Sequence, residues 1–157
     1  MELKQLYVIV DDDGKIVSEQ GFDYADESQS CGLRRVENLN KWNFIDKNGK
    51  TISKEWFDYC YRFNEGFAVI ISKDKFNFIN KKGQVLSNQW YNNARSFNNS
   101  FAFIKLNDKW NFINKKGKCV SKQWFDDFGC SFNGGFATVK INDEWVRINQ
   151  NGEIIKI

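Results

Sequence analysis

Five glycines, Gly14, Gly49, Gly83, Gly117 and Gly152, stand 35, 34, 34 and 35 residues apart, and their surroundings recur with them. Seven positions before each glycine is Tyr7, Trp42, Phe76, Trp110 or Trp145, and seven after the middle three is Trp56, Trp90 or Trp124. A second marker keeps the same phase: RFNEGFAVI from Arg62, SFNNSFAFI from Ser96 and SFNGGFATV from Ser131. A fixed period of this size predicts structural repeats that bury their apolar faces against neighbours, with atypical copies at the ends. The end copies are indeed degenerate. CGLRRV at Cys31 stands where later copies read EGFAVI, and only EIIKI follows Gly152.

Within a repeat the pattern is that of short β-strands. WNFI, FNFI and WNFI are aromatic-rich runs that end at DKNG, NKKG and NKKG. Asn-Gly, or Lys-Gly with Asn or Asp just before it, marks a hairpin whose glycine supplies a positive φ. This places KTIS, QVLS and KCVS as returning strands, with FAVII, FAFIKL and FATVKI as further strands upstream. No window carries a helical apolar stripe. A single helical turn over Ser53–Tyr59 is compatible with serine as its cap. Two or three strands this short cannot bury an aromatic face alone. Stacking therefore predicts one ladder of Trp56, Trp90 and Trp124 and another of Trp42, Phe76, Trp110 and Trp145, with the tryptophans packing the core.

The fold class expected is all-β: a repeat protein of short antiparallel strands and hairpins in an open twisted β-array. The alternative is a small closed β-propeller, in which Leu6–Val10 would lie beside residues 154–157. Units shorter than the usual ~40–45 residues of a blade favour the open form. One repeat domain over residues 1–157 is expected, with units near 1–31, 32–65, 66–99, 100–134 and 135–157.

Composition narrows the chemistry. Aromatics are 17% of the 157 residues, too many for a disordered chain, and there is neither histidine nor proline. Without histidine the commonest general base and the commonest metal ligand are both missing. A net charge of +3 is too small to imply nucleic-acid binding without a local cluster. Cys31, Cys60, Cys119 and Cys130 share no Cys-x-x-Cys spacing and read as buried or semi-buried free thiols. The early apolar run, Leu6–Val10, is too short for a leader core or a membrane span, so a cytoplasmic location is the default expectation.

The repeating markers resemble those of the WG-repeat family. Its pattern of G-L-A-x-V, K-W-G-Y-I-D-x-x-G-K and a later Tyr-Asp is met by Gly66–Val69, then Lys75, Phe76, Phe78, Ile79, Asn80 and Gly83, then Trp90 and Tyr91. Neighbouring copies match through Lys41–Lys50 with Trp56–Asp58, and through Lys109–Gly117 with Trp124–Asp126. The glycine that names the family is replaced by Asn43, Asn77, Asn111 and Val146, and the usual proline is absent. The resemblance implies a β-rich binding or scaffold module without common catalytic residues, and the chain carries no phosphate-cradling loop or nucleotide fingerprint, so no cofactor is expected.

Candidate functional positions follow from what varies. Lys47, Lys50, Lys81, Lys82, Lys115, Lys116 and Lys118 cluster at the glycine turns; stacked, they would form a basic ridge for an anionic polymer or surface. The competing physical role is to keep hairpin tips solvated. Asn92, Asn93 and Asn99 differ between copies and, with the recurring Asn98 beside them, can encode a partner. Asp58 and Asp126–Asp127 give way to Asn92 and Asn93 in the middle copy, which a paired-carboxylate reaction would not tolerate. Ser53, Ser87 and Ser121 lack a histidine partner and suit turn capping. The Asp11–Gly14 run lacks the later ligands of a calcium loop and reads as a hairpin tip. The function expected is a non-enzymatic protein-interaction or scaffold module whose partner is another protein. An anion- or carbohydrate-binding module, using the lysines or exposed aromatics, is the alternative.

Overall fold

The computed structural model describes residues 6–11, 13–18, 20–27 and 29–155. It is all-β. In chain order the strands are β1 Tyr24–Ala25, β2 Arg34–Asn38, β3 Lys41–Ile45, β4 Tyr59–Cys60, β5 Phe67–Ser72, β6 Lys75–Asn80 and β7 Asn93–Ala94. They continue with β8 Phe101–Leu106, β9 Lys109–Asn114, β10 Asp127–Asn133, β11 Phe136–Ile141, β12 Glu144–Asn149 and β13 Ile154–Ile155. They form antiparallel sheets in the orders β1-β2-β3, β4-β5-β6, β7-β8-β9 and β10-β11-β12-β13. None of these sheets closes or curls on itself, as in the open β-array expected. Tyr7 bridges to Phe22, Val10 bridges to Ile16, and β13 pairs with β12. Residues 156 and 157 lie outside the described residues.

The contacts divide the chain into two compact units, Met1–Lys73 with Ile79–Gln84, and Asp74–Phe78 with Val85–Ile157.

The hairpins are placed differently from the sequence expectation. The long strands join across Leu39–Asn40, Lys73–Asp74, Asn107–Asp108 and Asn142–Asp143, where both residues of each pair have positive φ. That is the two-residue loop whose twist matches the right-handed twist of the strands, and Asn or Asp fills its second position in every copy. Of the segments after the glycines, only that after Gly152 is a returning strand, β13. KTIS and KCVS make only single bridges, Ile45 to Thr51 and Ile113 to Cys119, with Ile52 N–H on the Phe44 carbonyl and Val120 N–H on the Phe112 carbonyl. The region around Ser53–Tyr59 is a bend, not a helical turn; Ser53 Oγ accepts from Glu55 N–H at 3.1 Å.

The largest fully buried side chains of the core are phenylalanine and isoleucine. In unit 1 Phe44 meets Phe63 edge-on at 4.6 Å between centroids. Unit 2 repeats the pair as Phe78 with Phe97 at 5.1 Å and Phe112 with Phe132 at 4.8 Å. Each of these six rings is buried. The tryptophans are not: Trp42, Trp56, Trp90, Trp110 and Trp124 are half-buried, and Trp145 is 49% exposed. Among the described residues, the tryptophan ring contacts within each unit are with phenylalanine and tyrosine. Trp42 packs on Tyr24 and Tyr59, Trp56 on Phe22, and Trp110 on Phe128. An indole is too large and too polar at its N–H to be enclosed easily by a thin sheet, so it covers the rim of the core instead.

Candidate interaction surface

The frame is set by three devices that recur from repeat to repeat. In the first, an Asx side chain shapes each glycine turn. Asp46 Oδ1 accepts from the N–H groups of Asn48 and Lys50 at 2.9 and 3.0 Å. Asn80, Asn114 and Asn149 do the same in their turns, and Asp11 does so with Asp13 and Lys15, which makes the early acidic run the hairpin tip expected.

The second device is the asparagine that replaces the family glycine. Asn43, Asn77 and Asn111 are fully buried in strands and do not have positive φ. Asn77 Nδ2 donates to the carbonyls of Ser87 and Gln89 at 2.7 and 3.2 Å, while its Oδ1 accepts from Phe78 N–H at 2.8 Å. Asn43 and Asn111 hold the Ser53–Glu55 and Ser121–Gln123 carbonyls in the same way. The amide thus latches a strandless segment whose carbonyls would otherwise be unpaired near the core. Val146 can make no such bond.

The third device uses the acidic positions. Asp58 Oδ2 accepts from Lys73 N–H at 2.6 Å, and its other oxygen meets Lys41 Nζ. Asp126 joins Asn142 N–H and Lys109 Nζ likewise, and Asn92 accepts from Asn107 N–H. The lysine ammonium, then the turn N–H, holds each of these carboxyls below the usual range. These carboxylates fasten hairpin turns, which explains why an amide substitutes for one of them.

With the frame assigned, the surface positions stand apart. All seven lysines of the expected ridge are exposed. Lys47, Lys50, Lys81 and Lys82 lie on two successive turns of unit 1; Lys115, Lys116 and Lys118 lie on one turn of unit 2. Asn92, Asn93, Asn98 and Asn99 are exposed too, though Asn99 Nδ2 also donates to the Phe132 carbonyl. Open polar grooves flank the glycine turns, about 670 Å³ beside Gly49 in unit 1 and about 1070 Å³ beside Gly152 in unit 2. All four cysteines are free thiols; Cys31, Cys119 and Cys130 are exposed, where buried or semi-buried thiols were expected, and Cys60 is enclosed. Among the described residues no His, Cys, Asp or Glu cluster could hold a metal ion, and no helix is long and apolar enough to cross a membrane.

Sequence reasoning passed over the first strand of each sheet. Its leading residue is Tyr24, Tyr59, Asn93 or Asp127 in successive copies, flanked by Tyr61 after β4 and Arg95 after β7. Variation at a fixed repeat position was the available signal.

The family model described as "WG containing repeat" matches residues 44–76, 78–110 and 112–145. No curated protein matches the chain. Among solved structures, Kluyveromyces lactis Hsv2 is similar at 10% identity and a TM-score of 0.44, covering 83% of this chain and 47% of that one. The chain thus spans about half the length of that structure. A Bacteroides caccae protein described as of unknown function is similar at 11% identity and a TM-score of 0.31, covering 97% of this chain and 74% of that one.

Proposed function

The chain belongs to the WG containing repeat family, and on that premise we propose that it works as a non-enzymatic protein-interaction or scaffold module, with residues 1–157 acting as one repeat domain. One observation carries the reading. The residues that recur, namely the phenylalanine pairs, the buried asparagines and the turn-holding Asx groups, are spent on the frame. The residues that differ between copies face solvent on rigid strands and turns. Such a surface recognises by shape and local charge rather than by reaction.

The test is capture from native lysate on the immobilised full chain, compared with a variant carrying glutamate at positions 81, 82, 115 and 116. One protein held in stoichiometric amount through a wash of about 0.5 M salt, far above the screening range of surface charge, supports the module reading. Retention of nothing contradicts it. A second reading, binding of an anionic polymer or glycan, is favoured by the seven exposed lysines on the glycine turns. Salt-eluted polymers that the glutamate variant no longer holds would favour that second reading.

A further inference from the structure

In unit 1 a file of aromatic rings crosses the surface: Tyr7, Tyr24, Trp42, Tyr59 and Tyr61, with successive centroids 6.0, 5.7, 5.3 and 5.1 Å apart. Tyr7, Tyr24 and Tyr61 are 47%, 37% and 44% exposed. The strand register builds the file. Tyr24, Glu37 and Trp42 lie opposite one another across β1, β2 and β3, and so share one face of the sheet. Two residues back on β2, Arg35 places its guanidinium 4.6 Å from the Trp42 ring and 5.5 Å from the Tyr59 ring. Arg35 is itself fixed by Asp26, the Tyr59 hydroxyl and the Cys60 carbonyl. The middle of the file is therefore held in place before any partner arrives.

The frame does not require these tyrosines. Unit 2 closes its core around Phe112, Phe125 and Phe132 while carrying Asn93 and Asp127 at the strand position of Tyr24 and Tyr59. Aromatic area that is exposed, contiguous and surplus to folding marks a contact surface.

We propose that this file docks a proline-rich segment of a partner protein in the polyproline II conformation, with a basic residue of that segment set against Glu37. The proposal rests on the interaction-module reading and names its partner class. Successive rings are tilted by 60°, 58°, 59° and 78°, so they leave notches between them instead of one flat platform. Sugar rings and bases need flat ring faces, and Arg35 already covers that of Trp42. Proline rings fit between tilted aromatics, and the unpaired carbonyls of a polyproline II chain accept from phenol and indole donors at the rim. The charge argument agrees. Glu37 has no ion pair among the described residues, whereas the nearby Asp26 and Asp58 are both paired, so Glu37 is the carboxylate beside the file that is left to meet a partner's cation. Its four ring-to-ring steps match about seven residues of polyproline II at ~3.1 Å each.

The experiment screens the full chain against an immobilised library of proline-rich dodecamers, half with lysine flanks and half with serine flanks, and against glycine-serine controls of equal charge. Hits are titrated in solution by fluorescence anisotropy. The double variant Tyr24→Asn/Tyr59→Asn borrows a residue that unit 2 carries at the same strand position, and its urea midpoint reports whether it folds. The expected result is a set of proline-dependent hits that bind the folded double variant at least tenfold more weakly, with Glu37→Gln weakening only lysine-bearing hits. Absence of proline-dependent hits, or hits indifferent to the double variant, overturns the docking assignment. If lysate capture of a protein persists unchanged in that variant, the module reading survives while the file loses its role. Binding of xylan or cellulose oligomers or single-stranded oligonucleotides in place of peptides, lost in the double variant, overturns both.

Discussion

Gly83 rests directly on the backbone of Ile52: a methyl group on its α-carbon would come within 1.8 Å of the Ile52 carbonyl oxygen. Gly49, Gly117 and Gly152 stand in the same relation to Val17, Leu86 and Val120, at 2.6, 2.8 and 2.4 Å. The period-setting glycine is thus the point where one repeat lies against the segment following the previous glycine. Turn geometry alone would not demand this, because Gly14 has the same φ of +78° as Gly83 but nothing within 4 Å. Gly83→Ala should destabilise the protein by about 2–4 kcal/mol, combining left-handed strain with a backbone clash. Gly14→Ala should cost only about 1–2 kcal/mol, the strain alone. Urea midpoints of the two variants check this, and equal losses would remove the stacking role.

The buried asparagines give a second prediction. Asn77→Leu removes the donor to two carbonyls and leaves them unpaired beside the core, costing about 2–4 kcal/mol. Hydrogen exchange should show the loss locally, as faster exchange in the segment after Gly83, before it appears elsewhere.

The third prediction separates core from rim. Phe78 is fully buried and packs on Phe97, so Phe78→Ala should cost about 3–5 kcal/mol. Half-buried Trp90 should cost less when changed to alanine, by at least 1 kcal/mol or so, because much of its area is wet already. Equal denaturation midpoints for the two variants would return the tryptophans to the core.

The repeat, its all-β character and its open form were legible because a period of glycines and aromatics is a property of the chain itself. The hairpins were placed at the glycines because Asn-Gly and Lys-Gly are the stronger local signals, whereas the actual loops, such as Lys73–Asp74, hold no glycine and depend on Asp58 to accept the turn N–H. The sequence marks the asparagines only as replacements for the family glycine, whereas their role lies in side-chain bonds to residues ten and twelve positions away. The aromatic file was illegible for a similar reason. Tyr7, Tyr24, Trp42 and Tyr59 are spaced 17 or 18 residues apart in sequence, and only the strand register brings them into line.

Thiol labelling offers a fourth check. Cys31 and Cys130 are exposed and should react with an aromatic disulfide reagent in the folded protein. Cys119 should follow more slowly, since partial burial pushes its thiol up and lowers the thiolate fraction. Burial pushes the Cys60 thiol well above the ordinary range, and it should react only as fast as the surrounding sheet opens. Prompt labelling of Cys60 would contradict the packing around β4.

The last prediction concerns acid. Asp58 and Asp126 are held below the usual carboxylate range by Lys41 and Lys109, with the Lys73 and Asn142 N–H groups adding to the effect. A carboxyl whose folded value lies below its unfolded one contributes stability that is present above the unfolded value, near ~4, and is lost as pH falls through the folded value. The protein should therefore weaken below about pH 4 and show no change from these groups between neutral and mildly alkaline conditions. Asp58→Asn/Asp126→Asn keeps the acceptor for the turn N–H, as Asn92 does naturally, but has no proton to take up. Urea midpoints near pH 7 and about pH 2.5 should differ less in that variant than in the parent, the smaller acid loss reporting the two carboxylates. An unchanged difference would place the acid sensitivity elsewhere and reduce Asp58 and Asp126 to neutral turn acceptors.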